Sequence, residues 1–112
     1  MEKVFFNYKG KKITVNVKEC KGICRGIGLM FQGKQNANAL LFSFNEPSRV
    51  KIHSFFVFFP FVAVWLDKNN KVVSLKKVKS FTLSIFPGES YHKLIEIPVN
   101  KKYSKIVKLL CS

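Results

Sequence analysis

The sequence predicts a mainly β domain of the β-rich α+β class. It should form a compact, largely antiparallel, barrel-like sheet with one helix near residues 19–31 and a short C-terminal helix. Three features carry this prediction. Apolar residues alternate with polar ones near the start, Phe61 to Leu66 is apolar without alternation, and turn residues punctuate both regions. A length of 112 residues suits one core, so residues 1–112 read as a single domain. With 12 Phe and a hydrophobic fraction of 47%, the chain has ample apolar surface to collapse.

Val4-Phe5-Phe6-Asn7-Tyr8 and Ile13-Thr14-Val15-Asn16-Val17 flank Lys9-Gly10-Lys11-Lys12, which is the pattern of a hairpin with a glycine in its turn. In the second run Ile13, Val15 and Val17 share one face, so this hairpin covers a core on one side. From Glu19 to Phe31 the period changes. Cys20, Cys24, Ile27 and Phe31 recur at helical spacing, while Gly22, Gly26 and Gly28 weaken the helix and suit close packing on a strand.

Gln32 to Asn38 is a polar loop, and Ala39 to Phe44 a buried strand ended by the turn residues Asn45-Glu46-Pro47-Ser48. Arg49 to Phe59 reads as a second long extended run. After Pro60, the stretch Phe61 to Leu66 suits a central strand covered on both faces, and Asp67 to Lys71 turns it into a partner strand, Val72 to Val78. Lys79 to Glu89 is an irregular connection and Leu94 to Ile97 a short strand. Beyond Pro98, Tyr103, Ile106, Val107 and Leu110 share one helical face and Lys101, Lys105 and Lys108 another.

Three ordered blocks then carry a family resemblance: Arg25-Gly26-Ile27-Gly28-Leu29-Met30-Phe31, Ala39-Leu40-Leu41-Phe42-Ser43-Phe44, and the stretch from Val50 to Val73. Over about residues 13–100 the chain resembles the family of domain of unknown function 192. Ile95-Glu96-Ile97-Pro98 is similar to that family's final strand. The resemblance implies a compact β-rich domain with a helix near its start, and it transfers no activity and no catalytic residue. The chain also departs from the family. Phe55, Phe56 and Val62 stand where many members carry a lysine, an asparagine and an aspartate, and Asn100 replaces the usual glycine after the last strand.

Constellations for catalysis are thin. Cys20 and Cys24 are one helical turn apart, but structural zinc wants four ligands, and Cys111, His53 and His92 supply no second pair; no metal and no cofactor is expected. No signature marks Cys24 as a nucleophile, and the six carboxylates are isolated along the chain, against paired-carboxylate chemistry. The glycines lack the Walker spacing. The chain opens without a secretory signal, its longest apolar run is too short to span a bilayer, and its cysteines are odd in number. Reduced thiols and a cytoplasmic setting follow as expectations.

The charge is the strongest clue. Twenty Lys and Arg against six Asp and Glu give +14, and only Arg25 and Arg49 are arginines. Such excess favours a polyanion or an acidic protein as partner, although lysine also serves simply to solvate a surface. The candidate anion-binding residues are Lys76, Lys77, Lys79, Lys101, Lys105 and Lys108. The first expectation is therefore a non-catalytic binding or interaction module with a basic surface. A second is an enzyme or small-molecule binder with a pocket near Arg25, His53 and Tyr91, and a third is attachment to an anionic membrane surface through the basic helix of residues 99–110.

Overall fold

The computed structural model describes residues 2–21, 28–30, 32–54, 57–82 and 84–111. Six strands form one sheet: β1 (Glu2–Tyr8), β2 (Lys11–Glu19), β3 (Ala39–Ser48), β4 (Phe61–Leu66), β5 (Val72–Val78) and β6 (Tyr91–Pro98). A 3-10 turn (Lys101–Tyr103) leads into helix α1 (Ser104–Cys111). The strand order is β1-β2-β3-β6-β4-β5. Among the strand pairs of the described residues β2–β3 alone is parallel, so the sheet is mixed, and it curls into a half-barrel. Parallel neighbours need a long crossover, and residues 20–38 supply it.

The hairpin forms in the register that alternation predicts, with Phe6 opposite Ile13 and Val4 opposite Val15. Its two-residue turn puts Lys9 at φ 50° and Gly10 at φ 77°, the primed geometry whose twist matches the flanking strands. At the other edge, Asp67 Oδ1 accepts from the backbone N–H groups of Asn69 and Lys71 and closes the β4–β5 turn. Asn70 of that turn donates through Nδ2 to the carbonyl of Phe5, and Asn7 bridges Lys71. The two edge strands therefore approach each other at one end, which curls the sheet.

Each face of the sheet buries its own apolar cluster. The inner face gathers Val15, Val17, Val62, Val64, Ile95 and Ile97 and is capped by Tyr103 and Leu110. The outer face carries Phe42, Phe61, Trp65 and Leu94, covered by the connections that hold Leu29, Val57 and Ile85. Every residue of β4 is buried, as a strand covered on both sides requires.

Three expectations are corrected, and a fourth, the helix near residues 19–31, falls mostly outside the described residues. Glu19 ends β2 and Gly28–Met30 form a turn; the remainder of the expected helix at residues 19–31, Gly22 to Ile27 and Phe31, lies outside the described residues. Asn45 to Ser48 is not a turn after the strand but the last four residues of β3. The strand continues through a register shift against β6 between Ser43 and Ser48, and Pro47 lies in the unpaired stretch, where its missing N–H costs no ladder bond. Among the described residues, Arg49 to Phe59 contains a single bridge, Ile52 to Ile85, instead of a strand, because it crosses the outer face as a cover. Finally, Cys20 is disulfide-bonded and buried while Cys111 is free and exposed, so the expected three reduced thiols are wrong at Cys20. An odd count still allows one bridge and one free thiol.

The family departure at Asn100 also finds its reason. Asn100 has an extended backbone, φ −141°, and needs no glycine. Its Nδ2 donates to the carbonyls of Lys34 and Ala37, and its Oδ1 accepts from the N–H of Tyr103. One side chain thus caps the 3-10 turn that leads into α1 and fixes the loop before β3.

Candidate functional site

Strand β6 runs through the middle of the sheet, between β3 and β4, and alternation sends Ile95 and Ile97 to the inner face and Leu94 and Glu96 to the outer one. Glu96 lies opposite Leu40 on one side and Ala63 on the other, in an otherwise apolar row. It is 5% exposed. Burial pushes its carboxyl up to about 8, so the group is largely protonated at neutral pH.

A cavity of about 290 Å³ opens on this carboxyl. Phe42, Leu94, Leu29 and Val57 build its apolar wall, while Tyr91, Glu96, His53 and Lys51 bring polar groups to it. Tyr91 is locked in place. Its phenol donates to the carbonyl of Val50 at 2.6 Å, and its ring meets Phe44 and Trp65 edge to face. Burial, the foremost cause, and the nearby Glu96 charge both raise the Tyr91 phenol above its ordinary value. Gly28 leaves room at the carboxyl: a Cβ there would come within 3.3 Å of Glu96 Oε1.

His53 and Tyr91 thus line one cavity, and Arg25 lies outside the described residues. Sequence reasoning missed Glu96, treating it as one more isolated carboxylate. The signal was present in Leu94-Ile95-Glu96-Ile97, because a strand apolar on both faces must bury any acid within it. The departure at Val62 bears on the opposite face. Val62 is fully buried in the inner cluster, away from this cavity, and Phe55 and Phe56 lie outside the described residues.

The lysines are distributed by strand register. Phe61, at the start of β4, pairs with Val78 at the end of β5 and with Pro98 at the end of β6. Two strand spacings separate those ends, about 10 Å, so Lys77 and Lys79 leave one rim of the sheet beside the segment that continues to Lys101. All six candidate lysines are exposed, and among the described residues none forms a salt bridge. Lys76 stands apart: its Nζ donates to the carbonyl of Phe86 and lies 6.0 Å from the Trp65 ring centroid. On α1, Ile106, Val107 and Leu110 pack on the inner core, leaving Lys105 and Lys108 outward. The apolar stripe expected to meet a membrane is therefore occupied by core packing, with Leu109 exposed. Among the described residues no helix is long and apolar enough to cross a membrane, and no group of three or more His, Cys, Asp or Glu side chains could hold a metal ion.

The family model of domain of unknown function 192, described as "Uncharacterized ACR", matches residues 4–104. The chain belongs to this family. None of the curated proteins matches its sequence. Two solved structures are similar to it. A protein of unknown function from Novosphingobium aromaticivorans DSM 12444 superposes with a TM-score of 0.74 at 12% identity, over 93% of this chain and 76% of that one. A protein from Sinorhizobium meliloti 1021, described as "a putative transcription regulator", superposes with a TM-score of 0.72 at 15% identity, over 91% and 81% of the two chains. At these identities the likeness concerns the fold. The β-rich domain that the resemblance implied is thus the fold of this member of the DUF192 family.

Proposed function

We propose that this domain is a binding module whose outer-face cavity takes a small, mainly apolar molecule with an amide or carboxylic head. The observation that carries the reading is the buried Glu96 carboxyl opening on an apolar cavity of about 290 Å³, near the lower end of ligand-pocket sizes. A protonated carboxyl both donates and accepts, which suits a head group of the same pattern. Tyr91 and His53 complete the polar set among the described residues. The test is a fragment screen by ligand-observed NMR on wild type and Val50→Trp. Val50 is exposed at the cavity, so the indole should plug the mouth without disturbing the core. Amide- or acid-headed fragments are expected to bind wild type only; fragments binding both proteins alike would refute the site.

A second reading, a basic surface for a polyanion, is favoured by the register that brings Lys77, Lys79 and Lys101 to one rim. The description of the Sinorhizobium meliloti protein as "a putative transcription regulator" accords with it. Retention on heparin resin is the measurement, and each lysine that contacts phosphate should add about one unit to the salt slope. Passage through the resin at about 50 mM salt would remove this reading.

A further inference from the structure

Phe58 and Phe81 are 59% and 51% exposed, and their rings meet edge to face with centroids 5.7 Å apart. Phe81 sits at φ 61°, the left-handed region that bulky side chains avoid. A surface phenylalanine gains little by burial there, so the backbone geometry is imposed by its surroundings. Ser54 imposes it. Fully buried, its carbonyl accepts from the N–H of Phe81, its Oγ donates to the carbonyl of Lys79, and Oγ accepts from the N–H of Thr82. Lys79 to Thr82 is thus a built turn that holds an aromatic ring outward.

The pair stands on the lysine rim. Phe58 precedes Pro60, whose carbonyl accepts from the N–H of Val99 on the way to Lys101, and Phe81 follows Lys77 and Lys79 at the end of β5. Exposed aromatic rings at the end of the sheet that also carries lysines match one chemistry closely: bases that stack and phosphates that pair with ammonium groups. A duplex hides its base faces, whereas a single strand offers them. Lysine, with no bidentate fork, suits contact that follows the backbone and ignores sequence.

We propose that Phe58 and Phe81, with Lys79 and Lys101 at the same end of the sheet, form a stacking platform for single-stranded nucleic acid. The inference rests on the polyanion reading of the rim and names its partner. The test is fluorescence anisotropy with a labelled oligothymidylate of about 12 nucleotides, within the usual site size of such platforms, on the full chain at low salt. Phe81→Gly is the informative variant, because glycine adopts the left-handed conformation freely and should leave the melting temperature unchanged or higher. It is expected to weaken binding about tenfold or more, as is Phe58→Ala, whereas Phe81→Tyr retains the stacking face and the affinity. A duplex of the same length should bind more weakly and ignore Phe81→Gly.

If Phe81→Gly binds the oligonucleotide like wild type while heparin still retains both, the platform is refuted and the basic rim stands. If neither heparin nor oligonucleotide is held, both readings fall. Phe81-dependent sedimentation with phosphatidylserine vesicles, in the absence of oligonucleotide binding, would assign the pair to a membrane surface and overturn the proposal.

Discussion

The carboxyl of Glu96 rests against the bare Cα of Gly28, where an added methyl group would lie 3.3 Å from Oε1. Gly28 also has φ 54°, so it is required twice, once by its backbone and once by the acid beside it. Gly28→Ala should therefore destabilise the domain by about 1–2 kcal/mol, measured by urea unfolding. The same variant should weaken fragment binding by displacing the carboxyl. Unaltered stability would show that the turn at Gly28 relaxes freely.

Glu96 gives stability a defined pH dependence. Its pKa in the fold is about 8 against an ordinary 4.5, so the folded state holds a proton that the unfolded chain releases. The associated stability is complete below 4.5 and is lost as pH rises towards about 8. The loss should be on the order of a few kcal/mol. Asp67 acts in a separate window: the N–H of Lys71, foremost, and that of Asn69 hold its carboxyl below the usual 3.8, so its contribution fades only in acid. Urea melts at about pH 5 and about pH 9 should show wild type losing stability and Glu96→Gln losing far less. Parallel profiles for the two proteins would place the proton elsewhere.

Asn100→Ala should cost about 1–3 kcal/mol, since it removes the cap on Tyr103 and frees the carbonyls of Lys34 and Ala37 together. Asn100→Gly should behave in the same way, although glycine is the family's usual residue, because the bonds are made by the side chain. Thermal unfolding of both variants checks this, and wild-type stability in either would mean that the three bonds are replaced by water.

Tyr103 ties the C-terminal turn to two strands. Its hydroxyl accepts from the N–H of Ala39 at 2.8 Å and donates to the carbonyl of Asn16 at 3.1 Å. Tyr103→Phe keeps the ring in the inner core and orphans a buried N–H, with an expected loss of about 1–3 kcal/mol. Amide hydrogen exchange should quicken at Ala39 more than along β4. Uniform protection would show that the hydroxyl contributes no local restraint.

Local patterns carried much of the fold. Alternation in Ile13-Thr14-Val15-Asn16-Val17 determined which residues face inward, and the continuous apolar run from Phe61 to Leu66 determined a strand buried on both sides. The charge of +14 and the outward lysines of α1 were legible for the same reason: each depends on residue type and spacing alone.

Only tertiary structure decided the rest, because it depends on residues far apart in sequence. The parallel β2–β3 pairing and the insertion of β6 between β3 and β4 put Glu96 into an apolar row and set Tyr91 beside it. Tertiary contacts also turned Arg49 to Phe59 into a cover, although its composition suited a strand, and brought Phe58 of that run and Phe81 of the irregular connection together at the surface. A sequence specifies how apolar each segment is, whereas the pairing partner of each strand decides which side of it finds cover.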